Sequence, residues 1–208
     1  MKKSIIATIM AMVMLFSVCA AYAEVQEIGE VNTAKGDLAV FCDILDNYTY
    51  IELSLNDPET GKKDPDGELL IEAKANDDNR PVFYIDIIPT EEYADVASLN
   101  DMRLEDFVPF RCSYFMYEGA YYSESVRNDG VIYLKSIDEE MGSATVGTLI
   151  RGCMIFVTAD TTDDYPALND YDVVAAEEIL DSIVLTVLQP REDILNPISI
   201  RYPDPDED

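Results

Sequence analysis

Apolar runs broken by short acidic turns cover most of this chain. Leu38–Leu45 and Tyr48–Leu55 read as two β-strands, and Asp46-Asn47 between them suits the positive φ of a two-residue hairpin turn. In the second run Tyr48, Tyr50, Glu52 and Ser54 alternate with Thr49, Ile51, Leu53 and Leu55, the period of a half-buried strand. Residues 56–68 hold two prolines and two glycines among charged residues and predict an exposed loop. Leu69–Ala75 and Pro81–Ile88 predict two further strands around the turn Asn76–Asn79, the second stopped by Pro89.

The middle of the chain changes period. Thr90 predicts an N-cap for a short helix over Glu91–Ala97, with acids in the first turn. Phe107, Phe110, Tyr114 and Tyr117 then recur at helical spacing, and Pro109 fits if that helix starts near Asp106 or Val108. Gly119 ends it. Ala120–Val126 and Val131–Ser136 flank Arg127-Asn128-Asp129-Gly130, the clearest hairpin signal in the chain. Ala144–Thr158 reads as one long strand bent at Gly147 and Gly152. After an acidic loop, Asp170 caps a last helix with Val173, Ala176, Leu180, Ile183, Val184 and Val187 on one face. The order predicts an α+β fold: an antiparallel sheet of about six strands with helices packed on its faces, in a single domain.

The first 23 residues stand apart. Lys2 and Lys3 precede an apolar run, Ile5 to Val18, and Ala21-Tyr22-Ala23 forms a small-x-small cleavage site. That is the layout of a secretory signal peptide, and the run is short of the roughly 20 residues a spanning helix needs. A lipid anchor on Cys19 is the alternative, but Val18 stands where a small residue is expected. The chain therefore divides into a signal peptide (1–23), a flexible leader (24–36), an α+β domain (37–189) and an acidic, Pro-containing tail (190–208). The expected location is secreted or otherwise extracytoplasmic, with no membrane span once the signal is removed.

Charge narrows the partners. The 208 residues hold 14 basic and 42 acidic side chains; the signal carries two lysines and no acid, so the remainder has a formal charge of −30. Such a surface repels phosphate backbones, which excludes nucleic acid, and favours cations and cationic partners. The same excess also keeps an exported protein in solution. Histidine is absent, which removes Ser-His-Asp and Cys-His catalysis and His-based zinc sites. The three cysteines past the signal, Cys42, Cys112 and Cys153, allow at most one internal disulfide and show no Cys-x-x-Cys spacing. Cys153 reads as a packed thiol within a buried strand, and a Cys112–Cys153 bridge stays open.

Two constellations are candidates for chemistry. The loop acids Asp57, Glu59, Asp64, Asp66 and Glu68 supply the oxygens calcium takes, with Asp57 and Glu68 at the ends of an EF-hand-length loop. Gly61 and Lys62 break that motif inside, so solvated acidic turns are the plainer reading and calcium the alternative cofactor. The aromatic group Tyr114, Tyr117, Tyr121 and Tyr122, with Phe115, suits recognition, since tyrosine offers apolar area and a hydroxyl. The helical spacing equally fits core packing. Neighbouring acid pairs such as Glu91-Glu92 and Glu177-Glu178 do not face each other and make no glycosidase pair.

Phe83-Tyr84-Ile85-Asp86 before a middle helix, and the helix ending Ala176-Glu177-Glu178-Ile179-Leu180-Asp181-Ser182-Ile183, together resemble the PsbP-like fold family over residues 38–188. The resemblance implies an antiparallel sheet sandwiched by helices and a binding role, and it carries over no functional residue. The expected function is an exported, non-enzymatic binding or interaction module whose partner is an unknown protein, cation or small ligand. The alternative is a carboxylate-based, calcium-supported extracytoplasmic hydrolase.

Overall fold

A computed structural model describes residues 25–190 apart from 34, 44, 54–67 and 78. The signal segment, residues 191–208 and the loop acids Asp57, Glu59, Asp64 and Asp66 lie outside the described residues. In chain order the elements are β1 (Val25–Thr33), β2 (Gly36–Asp43), β3 (Tyr48–Glu52), β4 (Leu69–Ala75), β5 (Val82–Pro89), α1 (Leu104–Tyr114), β6 (Tyr121–Val126), β7 (Ile132–Asp138), β8 (Ser143–Ile150), β9 (Cys153–Asp160), α2 (Asp170–Ser182) and β10 (Val184–Pro190). A 3-10 turn, Leu99–Asp101, precedes α1. The fold is α+β, with a seven-stranded sheet ordered β3-β4-β5-β9-β8-β7-β6 and a three-stranded sheet ordered β1-β2-β10. All the pairings are antiparallel. Among the described residues no helix is long and apolar enough to cross a membrane.

The large sheet is covered on both faces, which its central strands record residue by residue. In β9, Cys153, Ile155, Val157 and Ala159 join one core, while Met154 and Phe156 join the other. The first core also takes Phe83, Ile85 and Ile87 of β5, Ala176, Ile179 and Leu180 of α2, and Leu38, Val40 and Leu185 of the small sheet. The second takes Phe110 and Phe115 with Tyr93, Leu99 and Met102, set over Leu134 and Leu149. Gly147 makes that second contact close: a Cβ there would lie 2.7 Å from Phe115 Cζ and 2.7 Å from Phe156 Cδ1. Helix α1 thus seats an aromatic ring on bare backbone.

Several expectations need correction. The segment read as a flexible leader is strand β1, paired along its length with β2. Asp46-Asn47 does form a turn, with Asn47 at φ 67°, but β2 and β3 belong to different sheets and do not pair. Residues 91–97 make turns and no helix. Helix α1 starts at Leu104, two residues before the position expected, and holds Pro109 inside it. The long strand over 144–158 is instead the hairpin β8–β9, turning at Arg151 (φ 54°) and Gly152 (φ 75°). Both residues have positive φ, as a type I′ turn demands. The last helix ends at Ser182, capped at its start by Asn169 with Asp172 completing a capping box. Residues 184–190 form β10. Among the described residues there are ten strands where about six were expected: the seven runs read as strands, plus β1, the second strand of the 144–158 hairpin and β10.

The end of α2 is set by a buried cation. Arg127, 6% exposed in the β6–β7 turn, donates from Nη1 to Leu180 O at 2.6 Å and from Nη2 to Ile183 O at 3.1 Å. Beside it Asn128 donates to Asp181 Oδ2 at 2.9 Å. Carbonyls at a helix C-terminus lack amide partners and carry the negative end of the dipole, so a guanidinium there is doubly favoured. Arg127→Leu should lower unfolding stability by about 3 kcal/mol, because Ile183 O loses its donor and Leu180 O keeps only the Ile183 amide. Arg103→Leu, which removes an exposed pairing with Glu105 and Asp106, should cost under about 1 kcal/mol. Urea titration of both variants checks the contrast; equal small losses would refute the anchoring role.

Candidate functional site

The tyrosine group does not form one surface. Tyr121 and Tyr122 are neighbours on β6, so their side chains leave opposite faces of the sheet. Tyr122 is half-buried and donates to Glu124 Oε1 at 2.5 Å, beside Arg111 at 3.4 Å from the same oxygen. Tyr114 packs its ring against Phe110 at 5.2 Å and Phe156 at 5.4 Å. Phe115 is buried. These side chains belong to the packing of α1. Tyr117 is exposed in the segment after that helix. Tyr121 is different: it is 64% exposed and lines a cleft of about 500 Å³.

That cleft lies between the β7–β8 turn, the start of β6 and the segment leading into α2. Ile137, Leu168 and Val173 supply apolar wall, and Glu139 and Asp170 stand exposed beside it. Asp138 also lines it, but its Oδ1 accepts from Glu140 N and Met141 N at 3.0 and 2.9 Å and shapes the turn. The opposite wall is pinned by Asp172, whose Oδ2 accepts from Asn169 N and Tyr165 Oη, both at 2.8 Å. Asn169 Oδ1 in turn accepts from Tyr171 N at 2.8 Å. The amides at the start of α2 are therefore taken and ringed by carboxylates, so the cleft presents negative charge to a ligand. Met141 and Tyr171, both strongly exposed, follow Glu140 and Asp170 in sequence. A volume of this size accommodates a small molecule or a few residues of peptide.

A second cleft, about 440 Å³, is lined by Asp43, Asp46, Glu178 and Asp181 with Leu45 and Ile179. Glu68, the one loop acid among the described residues, stands just before β4 near Asp86 of β5. Burial first, then the Glu68 carboxylate, push the Asp86 carboxyl up to about 7, and its Oδ1 is enclosed without a donor. Asp86 lies on the second face of the sheet, where Glu72 and Tyr84 replace the apolar residues found under α1. Its signal was legible as one carboxylate inside the apolar run Val82–Ile88. Among the described residues no group of three or more Cys, Asp or Glu side chains is arranged to hold a metal ion.

The described thiols are unbridged. Cys153 points into the core on the first face, whereas Cys112 is exposed on α1 across the second, so the sheet itself separates them. Burial pushes the Cys153 thiol up to about 12 and that of Cys42 to about 11, which leaves both unreactive as nucleophiles.

No family model, no curated protein and no solved structure matches this chain.

Asp86 makes a specific pH dependence. Its carboxyl is raised in the fold from 3.8 to about 7, so the folded state holds a proton that the unfolded chain releases at lower pH. The stability this gives is present at acid pH and is lost as pH rises through the window from about 4 to 7. Asp86→Asn keeps the neutral shape and should flatten that decline, so its melting temperature gains on the parent between pH 4 and 8. Parallel curves would show that Asp86 ionises as freely in the fold as outside it.

Proposed function

We propose that the chain is an exported, non-enzymatic binding module that takes a cationic ligand in the cleft at the N-terminal end of α2. The observation that carries this reading is Tyr121, an exposed ring lining a cleft of about 500 Å³, with Glu139 and Asp170 beside it and an apolar wall of Ile137, Leu168 and Val173. A tyrosine beside carboxylates attracts a cation through its ring face while the acids supply the opposite charge. The formal charge of −28 on the whole chain steers such a partner in. Export belongs to the same proposal and rests on the pattern of residues 1–23. A PsbP-like relationship belongs to the same proposal and rests on the sequence pattern of residues 38–188.

A capped, amidated Lys-Leu-Lys tripeptide is a suitable probe. Binding should weaken as salt rises, and Tyr121→Ser should reduce affinity at least tenfold with the melting temperature unchanged. Calorimetric titration reads both. An affinity that survives the substitution would remove Tyr121 from the site and the reading with it.

The second reading is a carboxylate-based hydrolase, favoured by the enclosed Asp86 carboxyl, which burial and the neighbouring Glu68 push up to about 7. It requires that turnover of a glycoside or ester panel by the exported form disappear in Asp86→Asn. Turnover that persists in the variant would eliminate it.

A further inference from the structure

A small cleft of about 250 Å³ opens on another part of the surface, between the β1–β2 turn, residues 94–97, the β8–β9 turn and β10. Leu38, Ala94, Val96 and Val187 give it apolar wall, and Lys35, Asp95 and Arg151 give it charge. Lys35 is engaged with Asp95 at 2.7 Å. Arg151 is exposed, and no carboxylate of the described residues pairs with it.

The backbone at this residue is unusual. Arg151 sits at φ 54°, in the left-handed region, as the first residue of the β8–β9 turn. A side chain there is strained where glycine would not be, and strain of this kind gathers at ligand sites. The turn is held firmly in that state: Arg151 N donates to Ala97 O at 2.9 Å and Gly152 N to Val96 O at 3.1 Å. These bonds join the turn to the strip of chain that forms the cleft's other wall. Substituting a Cβ at Gly152 would bring it 2.9 Å from Ala94 Cα, so the two walls are in close contact.

We propose that this cleft is a carboxylate-binding site for a short aliphatic acid, with Arg151 as the anion-binding residue and Leu38, Val96 and Val187 receiving the alkyl group. The guanidinium matches a carboxylate with two parallel donors. The surrounding negative field opposes every anion alike, so burial of the alkyl group must add to the pairing with Arg151 for a ligand to be held. The volume is below that of a drug-sized pocket and limits the ligand to a few carbon atoms beyond the acid. Both a free aliphatic acid and the C-terminal residue of a peptide present this chemistry. The site lies apart from the cleft of Tyr121 and takes the opposite charge, so either can fail alone.

The test uses sodium isovalerate and, in parallel, a short peptide ending in leucine, followed by methyl and amide NMR shifts. Saturable shifts at Ala94, Val96 and Val187 are expected with both acids, and the tighter arm names the source. Isovaleramide and the C-terminally amidated peptide, which keep the shape and lose the charge, should bind at least tenfold more weakly. Arg151→Gly is the decisive variant, because glycine accepts the left-handed backbone and the fold is kept. It should melt no lower than the parent and lose at least tenfold in affinity for both acids. Absence of saturable shifts up to tens of millimolar, equal binding of the amides, or undiminished binding by Arg151→Gly would each overturn the assignment.

Discussion

At the end of α2 Leu180 O keeps one backbone donor, Ile183 N at 3.3 Å, and Arg127 reaches it and Ile183 O from the β6–β7 turn. Much of the architecture follows from that contact. It fixes where the helix stops, so Ile183 enters the core and the chain leaves as β10. It also ties an edge of the large sheet to the helix that covers the first face. Lys135 on β7 repeats the connection with Glu177 at 2.7 Å, both side chains being mostly buried. The helix is thus held at several points along its length, by Val173, Ala176 and Leu180 in the core and by cations from the strand pair beneath.

Much of this was legible from local chemistry. The Asn-Asp-Gly turn at 128–130 formed where expected, with Gly130 at φ 87°, because that turn needs no distant partner to specify it. The β8–β9 hairpin was hidden for two reasons. Both faces of β9 are buried, so its sequence is a continuous apolar run without the alternation that marks a strand boundary. Its turn begins with arginine, where local propensity favours Asn, Asp or Gly. Strand β10 escaped because Leu180, Ile183, Val184 and Val187 keep helical spacing; the branched residues and the Arg127 contact decide against a longer helix. Strand β1 shows little periodic burial, with Val31 its one fully buried residue, and pairing with β2 gives it form. Asp46-Asn47 is the clearest lesson: sequence specified the turn and could not say that its two strands join different sheets.

The same distinction applies to the sites. Tyrosine content pointed to recognition, but only the strand's alternation separates Tyr121 from Tyr122. Residues brought together from three regions of sequence, such as Tyr121, Glu139 and Asp170, leave no spacing to read. Acid content pointed to cations, and it concealed the opposite feature, Arg151 exposed in a left-handed turn without an ion pair among the described residues. The described surface carries two clefts of different lining on one scaffold, one with Asp138, Glu139 and Asp170 and one with Arg151, Lys35 and Asp95.

Strand β2 draws its neighbours from the two ends of the folded region. Leu38 lies opposite Val31 on one side and Val187 on the other; Val40 lies opposite Gly29 and Leu185. During vectorial synthesis, an early-made strand must wait for the final one before its second edge is closed. Long-range pairing of this kind is slow, and until it happens the nascent chain keeps its sheet edge and half its core uncovered. The polypeptide is consequently committed to its native state only after synthesis has passed the last strand, and a ribosome-bound or truncated product ending before residue 184 would be a ready substrate for chaperones.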